Sequence, residues 1–268
     1  MLKHLIFILL SVFTVNVLAQ SAHTEYNLGL SKFNNRDFNG AILHFNKAIA
    51  LDSNFAEGYG IRAATKTNLS DLKGAIADYS HALTISKNAI NYFNRGHLKY
   101  QLKDYNAAIA DYTEAIKLDP KNEMFFYTRG LTYNLLKNTN ATLADMNQAI
   151  SLNKTYKEAY FIRANCKREL GDRNGAIADY STVVELDPNF ENAYFNRGVL
   201  FGLSKNHERA IKDFKSVNTI NPKNAKAYYN SGMAYVQLNQ KSAACAQFKL
   251  AVNNGFNEAK PLADKYCK

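Results

Sequence analysis

Apolar positions in this chain follow two superimposed rhythms. Over short distances they fall three and four residues apart, as in Ala41, Phe45 and Ala48, the spacing of one face of a helix. Over long distances the whole pattern returns. Ala41, Ala75, Ala108, Thr142, Ala176, Ala210 and Ala244 are separated by 34, 33, 34, 34, 34 and 34 residues, and Ala-Ile-Ala-Asp-Tyr occurs three times along that series. Twelve residues before each member stands a small residue, in the series Gly29, Ala63, Gly96, Gly130, Ala164, Gly198 and Gly232. Four residues after each stands a large one, in the series Phe45, Tyr79, Tyr112, Met146, Tyr180, Phe214 and Phe248. Each repeat therefore carries an apolar stripe on two helices, with small side chains where the helix axes approach.

Polar residues punctuate the same period. Asp37, Asp71, Asp104, Asn138, Asp172 and Asn206 fall between the two stripes of a repeat, where a turn is needed. Pro120, Pro188 and Pro222 follow the second stripe and stop its helix. A fixed period of this length predicts stacked helix-turn-helix units rather than a single folded core. The chain divides into seven repeats, at about 22–55, 56–88, 89–122, 123–156, 157–190, 191–224 and 225–256, with 257–268 as a C-terminal capping helix.

At these residues the chain resembles the tetratricopeptide repeat (TPR) family. The family places an aromatic residue first, then Leu-Gly, Tyr, Ala, Phe, Ala and Pro in 34 residues. Tyr59, Tyr92, Phe126, Tyr160, Tyr194 and Tyr228 stand at the first aromatic place, with Glu25 in the first repeat. The resemblance implies an all-α, right-handed superhelical solenoid whose first helices line a concave groove, and a non-enzymatic scaffold or adaptor. The fifth place of each repeat should face that groove. It holds Tyr26, Phe93, Tyr127, Phe161, Phe195 and Tyr229, and only Gly60 interrupts the row. Phe33, His97, Tyr100, Leu131, Asn165, Arg168, Val199 and Met233 extend the same face. Such a row can grip a peptide or stack on sugar rings; alternatively its rings pack between neighbouring helices. The family's clamp for a C-terminal carboxylate needs Lys and Asn where this chain has Tyr26 and Leu30, so that mode is not expected.

Five repeats carry Arg where the family has Leu: Arg62, Arg95, Arg129, Arg163 and Arg197. Sixteen residues on, the same five carry Asp: Asp78, Asp111, Asp145, Asp179 and Asp213. The end repeats lack both, with Leu28 and His44 in the first and Ser231 and Gln247 in the last. A guanidinium fork and a carboxylate match in geometry, so the expectation is an ion pair between the helices of one repeat. The alternative is a ladder of arginines that binds an anion.

Residues 1–19 are of another kind. Lys3 and His4 precede an apolar run from Leu5 to Leu18, and Val17-Leu18-Ala19 fits a cleavage site, which predicts a signal peptide. An uncleaved anchor is the other reading, though the run is shorter than a bilayer span requires. Export, to the periplasm or the medium of a Gram-negative cell, makes disulfides possible. A hairpin about Phe256 would bring Cys245 level with Cys267, and the stretch from Ala244 to Lys268 resembles the endings of exported TPR proteins. The expectation is a disulfide between these two; the alternative is two free thiols. Cys166 is left over, on a first helix, as a small buried residue.

Nothing catalytic stands out. The six histidines form no metal-ligand spacing, and no glycine loop for phosphate occurs, so no metal or cofactor is expected. The formal charge is +10, spread over all repeats, which fits a solvated basic surface better than a nucleic-acid site. The expected partner is an unidentified protein or peptide, with an envelope glycan as the alternative. No segment after residue 19 is apolar enough to span a membrane.

Overall fold

A computed structural model describes residues 20–268; the expected signal peptide, 1–19, lies outside the described residues. Helix α1 occupies 20–34. It is followed by α2 (Phe38–Leu51), α3 (Ala56–Asn68), α4 (Leu72–Ile85), α5 (Ala89–Gln101), α6 (Tyr105–Leu118) and α7 (Glu123–Leu135). Then come α8 (Thr139–Leu152), α9 (Lys157–Glu169), α10 (Arg173–Leu186), α11 (Glu191–Leu203), α12 (His207–Ile220), α13 (Ala225–Gln237), α14 (Lys241–Asn253) and α15 (Lys260–Tyr266). No strand occurs among the described residues. The fold is an all-α repeat solenoid.

The chain divides into an N-terminal body that ends at Thr132 and a C-terminal body that begins at Tyr133. Within each body, helices pack on their neighbours in sequence. α3 lies against α4 and α5 against α6 in the first, as do α9 and α10, α11 and α12, and α13 and α14 in the second. Second helices also pack on the next repeat, through α2 with α3, α4 with α5, α10 with α11, and α12 with α13. Contacts between near neighbours are what a repeat stack offers in place of one central core.

The seven-residue series Ala41 to Ala244 is wholly buried, at 0% exposure throughout. Thr142 is tolerated in it because its hydroxyl donates back to the Asn138 carbonyl at 3.0 Å. At the small-residue series the helices meet closely: a Cβ on Gly232 would lie 2.6 Å from the Phe248 ring, and one on Gly29 2.5 Å from the Phe45 ring. Any side chain there must displace a core aromatic.

The turn residues act as N-caps. Asp37, Asp71, Asp104 and Asp172 accept hydrogen bonds from the backbone N–H of Gly40, Gly74, Ala107 and Gly175 at 2.8–3.2 Å, and Asn138 and Asn206 do the same for Ala141 and Arg209. Each satisfies a donor that the first helical turn leaves unpaired. Only Gln240, in the last repeat, makes no such bond. The second helices of repeats 3, 5 and 6 end at Leu118, Leu186 and Ile220, two residues before their prolines.

Beyond the repeats, a 3₁₀ turn (Asn257–Ala259) leads into α15, with Pro261 in its first turn. Ala259 and Ala263 pack on Ala244, Phe248 and Ala251, with Phe256, Leu262 and Tyr266 around them. Cys245 and Cys267 form a disulfide with their Cα atoms 5.0 Å apart, which ties the end of α15 to α14.

Candidate functional site

The first helices carry the aromatic row, and every member of it is half-buried. Tyr26, Phe93, Phe161, Phe195 and Tyr229 each pack against a neighbouring ring. Tyr26 lies 6.0 Å from Phe45 and 5.1 Å from Phe55; Phe93 lies 5.5 Å from Tyr112 and 4.9 Å from Phe125. In the C-terminal body, Phe161 sits between Tyr180 (5.8 Å) and Phe190 (5.0 Å), and Tyr229 between Phe248 (6.1 Å) and Phe256 (5.0 Å). These four rings are thus held by the second helix of their own repeat and by an aromatic near the start of the next element. Phe195 contacts Phe214 at 5.8 Å, and Asn224 takes the place that Phe55 and Phe190 fill elsewhere. Where Asn122 takes that same place, Phe125 supplies the ring from three residues further on.

The rest of the expected face divides by repeat. Phe33 and Tyr100 pack edge-on against Phe38 and Tyr105, both at 5.5 Å. His97 is exposed and lies parallel to Tyr100 at 6.2 Å. Asn165 accepts a hydrogen bond from the Tyr180 hydroxyl at 2.6 Å, while Arg168 is exposed. Clefts open along this face. In the N-terminal body, one of about 300 Å³ lies at Gly60, walled by Tyr26, Tyr79 and the amides of Asn91 and Asn94. In the C-terminal body, one of about 630 Å³ lies between α11 and α13 and includes Val199 and Met233.

On the opposite side of the first helices lie the arginines. Arg62 holds Asp78 in a fork, Nε to Oδ2 at 2.8 Å and Nη2 to Oδ1 at 2.7 Å, and Arg95–Asp111, Arg163–Asp179 and Arg197–Asp213 repeat it at 2.6–2.9 Å. These aspartates are 3–5% exposed. Lys66, Lys99 and Lys167 add a second cation to Asp78, Asp111 and Asp179 at 2.8 Å. The guanidinium of each also lies over the ring three residues before it, 5.1–5.5 Å from the centroids of Tyr59, Tyr92, Tyr160 and Tyr194. Every arginine of these four is therefore occupied by its own repeat and the one before it, which leaves no open ladder for an anion. Arg129 belongs to the N-terminal body, over Phe126 at 5.9 Å, and Asp145, 3% exposed, to the C-terminal body.

The comparisons with known proteins agree with this geometry. Models of the tetratricopeptide repeat match residues 89–122, 191–224 and 225–253, and a TPR repeat model matches 164–205. The chain is a tetratricopeptide repeat protein. Over 58 residues, 22% of this chain and 31% of the relative, it is 41% identical to tetratricopeptide repeat protein 36 of Danio rerio. The chain thus spans less than a third of that curated relative. Among solved structures, YrrB, described as a TPR protein with an unusual peptide-binding site, is 26% identical with a TM-score of 0.62, covering 68% of this chain and 95% of YrrB. The C-terminal part of a TPR repeat-containing protein from Cytophaga hutchinsonii has a TM-score of 0.72 at 17% identity, covering 90% and 98%, a likeness of fold.

The first TPR repeat departs from the others in a way its sequence disguises. Glu25, at the first aromatic place, pairs with His44 at 2.7 Å, so the acid has moved to the first helix and the base to the second. The Arg column does not contain the acid: Leu28 stands there, and Glu25 lies three residues earlier, at the aromatic place, paired with His44 at the Asp place. Among the described residues, no three His, Cys, Asp or Glu side chains are grouped to hold a metal ion. No described helix is long and apolar enough to cross a membrane. Cys166 is buried, and burial pushes its thiol up to about 11.

Proposed function

We propose that this TPR protein is an exported, non-enzymatic scaffold that holds a protein or peptide partner along its first-helix face. The observation that carries this reading is the row of aromatic rings, all half-buried and five of them packed against a neighbouring ring. Rings fixed in this way offer contact area without losing rotamer freedom on binding. The likeness to YrrB, whose description names a peptide-binding site, points the same way. Export is supported by the apolar run before Ala19 and by the Cys245–Cys267 disulfide, a bond of oxidising compartments. We place the protein in the cell envelope of a Gram-negative bacterium, in the periplasm or released from it.

An envelope glycan is the second reading. The cleft at Gly60 favours it, since a tyrosine ring beside the amides of Asn91 and Asn94 is a surface that sugar hydroxyls and ring faces can use. Crosslinking of the tagged protein in cells, followed by mass spectrometry, separates the two when run beside co-sedimentation with isolated envelope polysaccharide. A discrete protein adduct without saturable co-sedimentation supports the scaffold. Saturable co-sedimentation without a protein adduct replaces it with the glycan reading.

A further inference from the structure

The cleft between α11 and α13 opens beside Gly202, a place that carries a packed aromatic ring in two other repeats. In repeats 1 and 3 the last turn of the first helix carries Phe33 or Tyr100, whose ring packs edge-on against Phe38 or Tyr105 at the start of the second helix. The same two places in repeat 6 hold Gly202 and His207. A Cβ built on Gly202 meets nothing within 4 Å, so the space that the ring would fill is open. Its volume is about 630 Å³, enough for a large side chain with the backbone that carries it. Val199 and Met233 line it, and Leu203, 62% exposed, stands at its mouth.

The charge at this site has one sign. Lys205 and His207 line the cleft, and no Asp or Glu does. Glu208 and Arg209 follow His207 on α12 but do not line the cleft, and the Arg209 guanidinium lies 5.6 Å from the Phe201 ring. The chain as a whole carries +10. A basic rim around an apolar hollow favours an occupant with carboxylates beside an apolar group, which lowers desolvation cost and steers the encounter.

We propose that this cleft binds a peptide segment in which a Phe, Tyr, Leu or Met side chain is flanked by acidic residues. The anchor fills the place of the missing ring, against Met233 and the edge of His207, while Lys205 meets the carboxylates. This rests on the peptide-scaffold reading and adds to it the site and the class of partner.

The test is to pan a random dodecapeptide display library against the intact protein and to measure one synthetic consensus peptide by fluorescence polarisation. Gly202→Phe is the central variant. It restores the ring that Phe33 supplies in repeat 1, in open space, so its melting temperature should not fall. The expected result is a consensus of one large apolar residue among Asp and Glu, an affinity about tenfold or more weaker for Gly202→Phe, and weaker binding for Lys205→Glu and at high salt. If Gly202→Phe fails to fold, Lys205→Glu together with Met233→Gln carries the same test. A consensus without acidic residues overturns the proposal, and so does failure to enrich any peptide. Equal affinity for protein and plugged variant overturns the cleft but leaves the scaffold reading standing. An oligonucleotide that displaces the peptide at equal charge overturns the apolar anchor.

Discussion

Arg95 Nη1 donates to Ser80 Oγ at 3.0 Å, which joins the first helix of one repeat to the second helix of the repeat before it. The same guanidinium holds Asp111 within its own repeat. Arg62 makes the equivalent bond to Asn46 at 2.7 Å, Arg129 to Thr113 at 3.0 Å, Arg163 to Asn147 at 2.9 Å, and Arg197 to Ser181 at 3.0 Å. Each acceptor lies two residues past the aspartate column, in the preceding repeat. At the next such place stands Lys215, which cannot accept, and there Ser231 replaces the arginine. One side chain therefore sets the register both within and between repeats.

Removing the carboxylate should be far more costly than removing the acceptor. Asp111→Ala leaves Arg95 and Lys99 facing each other without their counter-charge, and should destabilise by about 3–5 kcal/mol. Ser80→Ala removes the bond from Arg95 and the Ser80 hydroxyl's own bond to the Ile76 carbonyl, both half-buried, and should cost about 1–2 kcal/mol. Urea midpoints of both variants measure this, and equal midpoints would contradict the fork geometry.

Gln240 is the cap that is missing from the series. Gln240→Asp should stabilise by about 0.5–1 kcal/mol, because an aspartate there can accept from the first turn of α14 as Asp104 does for α6. Asp104→Ala should cost about 1 kcal/mol. Opposite shifts in melting temperature are the expected result.

The Tyr112 hydroxyl is buried with no hydrogen-bond partner, whereas Asn165 accepts from the hydroxyl of Tyr180. Tyr112→Phe should therefore stabilise by about 1 kcal/mol. Burial raises Tyr112, Tyr79 and Tyr180 above their ordinary value of 10.0. The unfolded chain ionises first, so this part of the stability is complete below about pH 10 and is lost as the pH rises further. Denaturant midpoints on either side of that pH should show the loss, and it should be smaller in Tyr112→Phe.

Alkylation of the native, non-reduced protein should leave all three cysteines unmodified, and unfolding without reductant should expose one, Cys166. Cys245→Ser should lower stability by about 3 kcal/mol on the loop-entropy model and increase hydrogen exchange in α15. Mass spectrometry reads both. Two modified cysteines in the unreduced native protein would contradict the disulfide.

The repeats, their helix bounds and the capping role of the Asp and Asn turns follow from spacing that can be read along the chain, because period and polarity alone decide them. The acceptor column was harder to see. Asn46, Ser80, Thr113, Asn147 and Ser181 share no residue type, only an oxygen that accepts. The Glu25–His44 pair has its acid in the aromatic column, three residues before the Arg place, and Phe125 is likewise shifted by three residues from the place of Phe55 and Phe190. The clefts at Gly60 and Gly202 come from side chains that are absent, which a motif made of present residues does not reveal. Whether an aromatic on the first helices packs or protrudes depends on its neighbours in the next repeat, and sequence position gives only its direction.

The proposed scaffold holds its partner on the first-helix face. A photoreactive amino acid at His97 or Arg168, both exposed on first helices, tests it most directly against the same group at Ala110 and Ala178, both exposed on second helices. Irradiation in cells should give one discrete protein adduct from His97 or Arg168 and none from Ala110 or Ala178. An adduct only from the second-helix positions, or none from any of the four, would contradict the account.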